Sequence, residues 1–184
     1  AAEARAIQAG GADFLLIGTN TMHKVAPEIE AAIDIPLLHI ADATAHRLQA
    51  DGVTRVGLLG TRFTMEQDFY KGRLQERFGL EVLVPDDAAR ERVHRIIYDE
   101  LCLGDIRESS QAEYLAIIAD LAQAGAQAVI LGCTEIALLV GACQAAVPLY
   151  DTTAIHAEAA VTLALACCGA GGVRGRPSWR PACF

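Results

Sequence analysis

Positive charge, aromatic residues and long apolar runs are all scarce in this 184-residue sequence. It has 15 Lys and Arg against 23 Asp and Glu, which gives a formal net charge of -8. Nucleic acids and anionic membranes bind basic surfaces, so we expect neither as a partner. No apolar run reaches the roughly 18 residues that a membrane-spanning helix requires. A soluble acidic enzyme or binding protein is therefore the default expectation.

The cysteines lack the spacing of a metal site or of a disulfide framework. They lie at Cys102, Cys133, Cys143, Cys167, Cys168 and Cys183. No CxxC pair is matched by a second pair, so we expect no structural metal. The first residues have no basic segment before an apolar core, which argues against a secretory signal. We expect free thiols in a reducing cytoplasm.

Hydrophobic residues make up 53% of the sequence and provide for a sizeable core. Short apolar runs alternate with helical patterns, which is typical of βα units and a parallel sheet. The sequence predicts strands at 14–17, 36–40, 56–59, 81–84, 129–131 and 147–150. It predicts helices at 25–32, 43–50, 65–78, 87–102, 110–124, 135–140 and 153–166.

An internal repeat is the most informative feature. The segment QAGGADFLLIGTNT can be laid over AQAGAQAVILGCTE, so that Gly18 falls on Gly132 and Thr19 on Cys133. At a similar distance further on, IPLL falls on VPLY, with Pro36 on Pro148. Two matched segments at a similar spacing indicate a duplication. We therefore expect an α/β protein of two pseudo-symmetric, open parallel-sheet domains.

Three small polar loops follow predicted strands: GTNT at 18–21, GTRFTM at 60–65 and GCTE at 132–135. Parallel strands place their carboxyl ends on one edge of a sheet, where ligands bind in open α/β folds. Backbone N–H groups at a helix start can hold a carboxylate. The Thr61 and Thr64 hydroxyls suit the same task, and helix capping by Thr64 is the alternative.

The segments TNTMH, HIADAT, GTRFTM, GCTE and PLYDTTAIHAE, in this order, resemble the aspartate/glutamate racemase family, in particular its broad aspartate racemase branch. The resemblance covers about residues 1–166. It implies a duplicated fold of two pseudo-symmetric α/β domains, no cofactor and no metal. It also implies proton transfer at Cα of an amino acid between cysteines on opposite faces of the substrate.

The resemblance assigns the site residue by residue. Cys133 matches the second-half cysteine and is the expected base, with a thiol pKa lowered by the helix start that follows it. Thr19 stands where the family usually has its first cysteine, and a hydroxyl is a much weaker acid. The predicted substrate-binding residues are Asn20, Thr21, Thr61, Thr64, Thr134 and Glu135.

Three histidines lie near these loops. His23 is expected one turn into a helix, either polarising the site or on the helix surface. His39 and His156 follow strand ends that face the presumed cleft, and either contact with substrate or a purely structural role fits them. We expect His46 and His94 at solvated helix positions.

The resemblance also suggests a division of the chain. Residues 1–48 are expected to be the remainder of a first α/β domain, completed by 152–166, and residues 49–151 a second. The strand and the glycine-rich loop that open family chains are missing, so the first domain is expected to be incomplete. The Gly-, Arg- and Pro-rich segment 167–184 is expected to be a disordered or non-native tail.

The expected function is cofactor-independent racemisation of a small acidic amino acid, between Cys133 and Thr19. A homodimer is implied by the resemblance alone. Two alternatives stay open. One is a single-cysteine decarboxylase or isomerase of the same superfamily, which the loss of the first cysteine favours. The other is an inactive, truncated carboxylate-binding product.

Overall fold

Two parallel sheets frame the protein, which a computed structural model describes over residues 1–141 and 143–169. The smaller sheet pairs β1 (Leu15–Leu16) with β2 (Leu37–Leu38). The larger sheet contains β3 (Arg55–Gly60), β4 (Glu81–Leu83), β5 (Ala128–Gly132) and β6 (Leu149–Asp151). Its strand order is β4-β3-β5-β6, and every pair is parallel. The predicted α/β class with parallel sheets is confirmed.

Helices connect the strands in the alternation that the sequence predicts. They are α1 (Ala2–Ala9), α2 (Ala26–Glu30), α3 (Ile40–Ala50), α4 (Arg62–Glu66), α5 (Lys71–Phe78), α6 (Asp87–Asp99), α7 (Glu108–Gln123), α8 (Ile136–Val140) and α9 (Thr152–Gly169). Short 3-10 helices lie at Thr21–Val25 and Leu101–Leu103. Among the described residues, no helix combines the length and the apolar character that crossing a membrane requires.

The larger sheet is the middle layer of a three-layer core. Successive side chains of a strand point to opposite faces, and both central strands, β3 and β5, are buried on each face. Val129 and Leu131 pack with α6, α7 and α8 on one side. Ala128 and Ile130 pack with α3, α5 and α9 on the other. Continuous apolar strands are what such a doubly covered parallel sheet requires.

The predicted helix at 65–78 is wrong, because the chain forms two helices there. The first, α4, ends at Glu66, the next residue, Gln67, is extended with a ψ of 150°, and α5 begins at Lys71. Met65 belongs to the cluster on one face of the larger sheet, whereas Tyr70 belongs to the cluster on the other face. A single straight helix cannot pack on both faces, so the chain breaks where it crosses between them.

Other differences are shifts of element ends. The predicted helix at 87–102 ends at Asp99 and continues as a 3-10 helix, which stops at the left-handed Gly104 with φ 77°. The final helix α9 extends to Gly169, so it passes the predicted start of the tail. The remainder of that predicted tail, 170–184, lies outside the described residues.

The last described helix returns to the first part of the chain. Ile155 of α9 packs in one cluster with Ala45 and Leu48 of α3, and Arg47 pairs with Glu158 at 2.6 Å. The grouping of 152–166 with 1–48 comes from the family resemblance, and the domain division stays a prediction.

Candidate active site

A pair of glycines shapes the carboxyl edge of the larger sheet. Gly60 and Gly132 are register partners at the ends of β3 and β5. A Cβ on Gly60 would lie 2.9 Å from the Gly132 carbonyl oxygen, and one on Gly132 would lie 2.8 Å from that of Leu59. Side chains therefore do not fit here, and the two following loops start side by side. These are the GTRFTM and GCTE loops.

Cys133, Thr134 and Glu135 form one hydrogen-bonded group between β5 and α8. The Cys133 Sγ donates to Glu135 Oε2 at 2.9 Å, and the Thr134 hydroxyl donates to the same oxygen at 2.7 Å. All three residues are half-buried. A thiol and a carboxylate at this distance can exchange a proton directly.

The expected lowering of the Cys133 pKa is wrong. Burial, followed by the hydrogen bond to Glu135, raises the pKa of this thiol to about 12. Burial also acts to raise the pKa of Glu135, but the hydrogen bonds from Cys133 and Thr134 outweigh it, and the net pKa is lowered. A neighbouring carboxylate stabilises the protonated thiol, and the five-residue α8 does not offset it. The resting pair is a thiol beside a carboxylate.

The threonines of the GTRFTM loop join the GTNT loop. The hydroxyls of Thr21 and Thr61 lie 3.3 Å apart, as do those of Thr61 and Thr64. Thr61 is the N-cap of α4 and accepts the backbone N–H of Thr64 at 3.4 Å. The alternative of capping by Thr64 is therefore wrong, since the capping hydroxyl is that of Thr61. Both Thr61 and Thr64 are buried, whereas Thr21 is half-buried.

A second connection runs from the GTNT loop to the end of β5. The buried Asn20 donates through Nδ2 to the Thr152 hydroxyl at 3.1 Å, and Thr152 donates to the Leu131 carbonyl at 2.9 Å. Leu131 precedes Cys133 by two residues. Sequence reasoning missed Thr152, although it directly follows the repeated Pro-Leu strand, which is the signal that could have found it.

His23 is buried with 1% of its surface exposed, so the helix-surface alternative is wrong. Its Nε2 accepts the backbone N–H of Ile40 at 3.2 Å, and its Nδ1 therefore carries a proton and donates to the Thr19 carbonyl at 2.8 Å. Burial is the largest cause that lowers the pKa of His23 to about 4. Through these two hydrogen bonds the neutral ring links the GTNT loop, which carries Thr19, to the start of α3. The Thr19 side chain is half-buried beside it.

His39 and His156 complete a cluster around His23, with ring centroids 4.3 and 6.0 Å from it. The His39 Nδ1 accepts the Ala41 N–H at 3.2 Å and so caps α3, while the His156 Nε2 donates to the Leu38 carbonyl at 2.7 Å. Burial lowers the pKa of His39 to about 2 and also lowers the pKa of His156. These bonds hold backbone in place. Within the described chain, no group of three or more His, Cys, Asp or Glu is arranged to hold a metal.

The profile of the Asp/Glu/hydantoin racemase family matches residues 1–160. The chain belongs to this family. Its α/β fold with parallel sheets is that of a racemase-family protein.

Individual relatives agree with this membership. The structure of a proposed Asp/Glu racemase from Yersinia pestis is 57% identical, with a TM-score of 0.84, and the match covers 88% of this chain and 70% of that one. An aspartate racemase homologue from Pyrococcus horikoshii OT3 is 34% identical, with a TM-score of 0.79, over 88% of this chain and 71% of that one. The broad specificity amino-acid racemase RacX of Bacillus subtilis (strain 168) is 27% identical over 156 residues, 85% of this chain. The chain spans 66% of the length of RacX.

Within this racemase-family fold, the predicted site residues fall into separate bonded groups. The groups are Cys133 with Thr134 and Glu135, Thr21 with Thr61 and Thr64, and Asn20 with Thr152. Among the described residues the Thr19 hydroxyl has no hydrogen-bond partner, so it belongs to none of them. The loops that carry Thr19 and Cys133 are nonetheless joined, through Asn20, Thr152 and Leu131.

Proposed function

We propose that this chain is an amino-acid racemase that acts on aspartate-like or glutamate-like substrates. It moves the Cα proton between Cys133 on one face of the substrate and the side of Thr19 on the other. The observation that carries the proposal is the 2.9 Å hydrogen bond from the Cys133 thiol to Glu135 at the carboxyl edge of β5. It supplies a proton donor and a proton acceptor at one point of a racemase-family site.

The proton balance follows from the resting state. Cys133 is a thiol at neutral pH, so it becomes a base only after its proton passes to the Glu135 carboxylate. The thiolate then removes the Cα proton, which leaves a planar carbanion and a restored thiol. On the opposite face, the Thr19 hydroxyl or a water that it positions returns a proton to Cα and is itself reprotonated by solvent. Glu135 releases the proton that it took from Cys133 to solvent, which restores the resting thiol and carboxylate. One such cycle inverts the centre.

Substrate contacts divide according to burial. Thr21 and Thr134 are half-buried, so we assign direct contact with a substrate carboxylate to their hydroxyls and neighbouring N–H groups. Thr61, Thr64 and Asn20 are buried and bonded within the loops, so we assign them to holding those loops. The reaction as proposed uses no cofactor. It requires a free Cys133, which a reducing cytoplasm preserves, and we include a homodimer on the strength of the family resemblance.

A second candidate is a single-cysteine decarboxylase or isomerase. A protonated Cys133, together with Thr19 in place of a second cysteine, favours proton delivery to one face only. Such an enzyme needs a proton donor on one side and no thiolate on the other.

Deuterium incorporation separates these functions. L- and D-aspartate and L- and D-glutamate are incubated with the protein in ²H₂O, and exchange at Cα is followed by NMR. We expect exchange from the wild-type chain and none above background from Cys133→Ser. Turnover of an arylmalonate or maleate without amino-acid exchange supports the second candidate. A thermal shift with L-glutamate and no turnover of any of these compounds indicates a binding protein.

A further inference from the structure

Thr152 lies at the centre of a buried hydrogen-bond chain that joins three distant parts of the sequence. It is fully buried, and Asn20 is 3% exposed. The chain runs from the Asn20 amide through the Thr152 hydroxyl to the Leu131 carbonyl, with distances of 3.1 and 2.9 Å. It starts on the loop of Thr19 and ends on the strand that leads into Cys133.

The donor-to-acceptor direction of this hydrogen-bond chain is fixed by the Leu131 carbonyl at its end. A carbonyl can only accept, so the single hydroxyl proton of Thr152 is committed to Leu131. The Thr152 oxygen must then accept from its other neighbour, which forces the NH₂ group of Asn20 toward it. A reversed amide would place two acceptors face to face. In the observed orientation of the amide, the buried Asn20 Oδ1 has no hydrogen-bond partner among the described residues. The protein keeps this orientation even though it leaves that oxygen unpaired.

We propose that Thr152 is a positioning residue for the proton-transfer site, an inference that rests on the proposed function. Its hydroxyl sets the distance between the loop of Thr19 and the end of β5, and so the gap in which Cα must sit between the two faces. Thr152 acts through Asn20 and Leu131 and does not touch the reacting atoms. Transfer to Cα is sensitive to this gap, since misplacement by about 1 Å can slow a reaction about a hundredfold.

The test compares Thr152→Val, which keeps the shape and removes the hydroxyl, with Thr152→Ser, which keeps the hydroxyl. Thr44→Val is the matched control, because Thr44 is also fully buried and donates to a backbone carbonyl, that of Ile40 at 2.8 Å. Exchange of the Cα proton in ²H₂O gives kcat and KM for each. We expect Thr152→Val to lower kcat at least about tenfold with KM nearly unchanged, and Thr152→Ser and Thr44→Val to stay near wild type.

Several outcomes overturn the inference. They are an unchanged kcat in Thr152→Val, a fall of equal size in Thr44→Val, and a Thr152→Ser variant as slow as Thr152→Val. If Thr152→Val does not fold, Asn20→Ala removes the same link from its other end and must show the same selective fall in kcat. A wild-type chain without exchange contradicts the proposed function and the positioning role together, whereas exchange that is insensitive to Thr152 contradicts only the latter.

Discussion

At the scale of single residues, the decisive feature is a thiol that is protonated because of its neighbour. The Cys133 Sγ donates to Glu135 Oε2 at 2.9 Å, and this hydrogen bond is, after burial, the second cause of the raised thiol pKa. In the reaction that we propose, the same carboxylate is the group to which that proton moves before Cys133 acts as a base. Glu135 would therefore disfavour the thiolate at rest and take up its proton during that reaction.

Replacing Glu135 with Gln separates these two effects. Loss of the negative charge lowers the Cys133 pKa from about 12, while loss of the proton acceptor slows Cα exchange by about a hundredfold or more. The pH dependence of iodoacetamide alkylation at Cys133 reports the pKa, and ²H incorporation reports the exchange. An alkylation profile that does not move to lower pH would contradict the assignment. Glu108→Gln, a change of the same type at an exposed site, is the control.

Thr19→Cys supplies the second thiol that the family resemblance implies. A thiol is a far stronger acid than a hydroxyl, so the planar carbanion gains an effective proton donor on its second face. We expect the rate of inversion, measured by chiral chromatography, to rise at least about tenfold, with Thr19→Ser near wild type. Equal rates for Thr19→Cys and Thr19→Ser would show that Thr19 does not face Cα.

At the scale of elements, the close approach of β3 and β5 at Gly132 predicts that a side chain at this position destabilises the protein. Gly18, which matches Gly132 in the internal repeat, provides the control. A Cβ at Gly132 would lie 2.8 Å from the Leu59 carbonyl oxygen, whereas one at Gly18, its counterpart in the repeat, meets nothing within 4 Å. Overpacking typically costs about 1–3 kcal/mol. We expect Gly132→Ala to lose stability of that size in urea denaturation and Gly18→Ala to lose little. Equal losses would mean that close approach of the strands is not the cause.

Element types follow from the sequence because apolar period and glycine positions are local signals. The alternation of strands and helices, and the Gly79 stop of α5, were open to prediction for this reason. The break between α4 and α5 was not, since it depends on which side of the sheet Met65 and Tyr70 must reach. The local sequence pattern shows that both residues are apolar, but it does not specify the face of the sheet on which each one packs.

The candidate site, like the fold, is predictable from the sequence only in part. Cys133 and Glu135 stand out in the sequence because the GCTE loop follows a clear strand. The protonation state of Cys133 depends on the side-chain rotamers that bring its sulfur to Glu135, and Thr152 depends on a partner 132 positions away. The buried state of His23 likewise results from tertiary packing that a helical period does not specify.

At the scale of the whole molecule, neutral buried histidines make stability depend on pH. His23 and His39 have pKa values of about 4 and about 2 against an ordinary 6.5. Between pH 6.5 and about 4 the unfolded chain binds protons that the folded chain does not. The contribution of the two neutral histidines to the free energy of unfolding is therefore complete above pH 6.5. It is lost as the pH falls, by about 1.4 kcal/mol per pH unit for each histidine.

Urea denaturation at pH 7 and pH 5 measures this loss. His39→Asn retains a side-chain acceptor for the N-cap of α3 and removes one titrating group. We expect the difference in unfolding free energy between the two pH values to be smaller in His39→Asn than in the wild type. A difference that is the same in His39→Asn as in the wild type would exclude His39 as a source of the pH dependence.

The return of α9 to α3 also has a consequence for synthesis on the ribosome. The residues of α3 emerge long before those of α9, yet Ala45 and Leu48 share a cluster with Ile155. Contacts between segments so far apart in the chain form late. Until α9 leaves the exit tunnel, this face of α3 stays uncovered, so the nascent chain presents an apolar surface of the kind that chaperones bind.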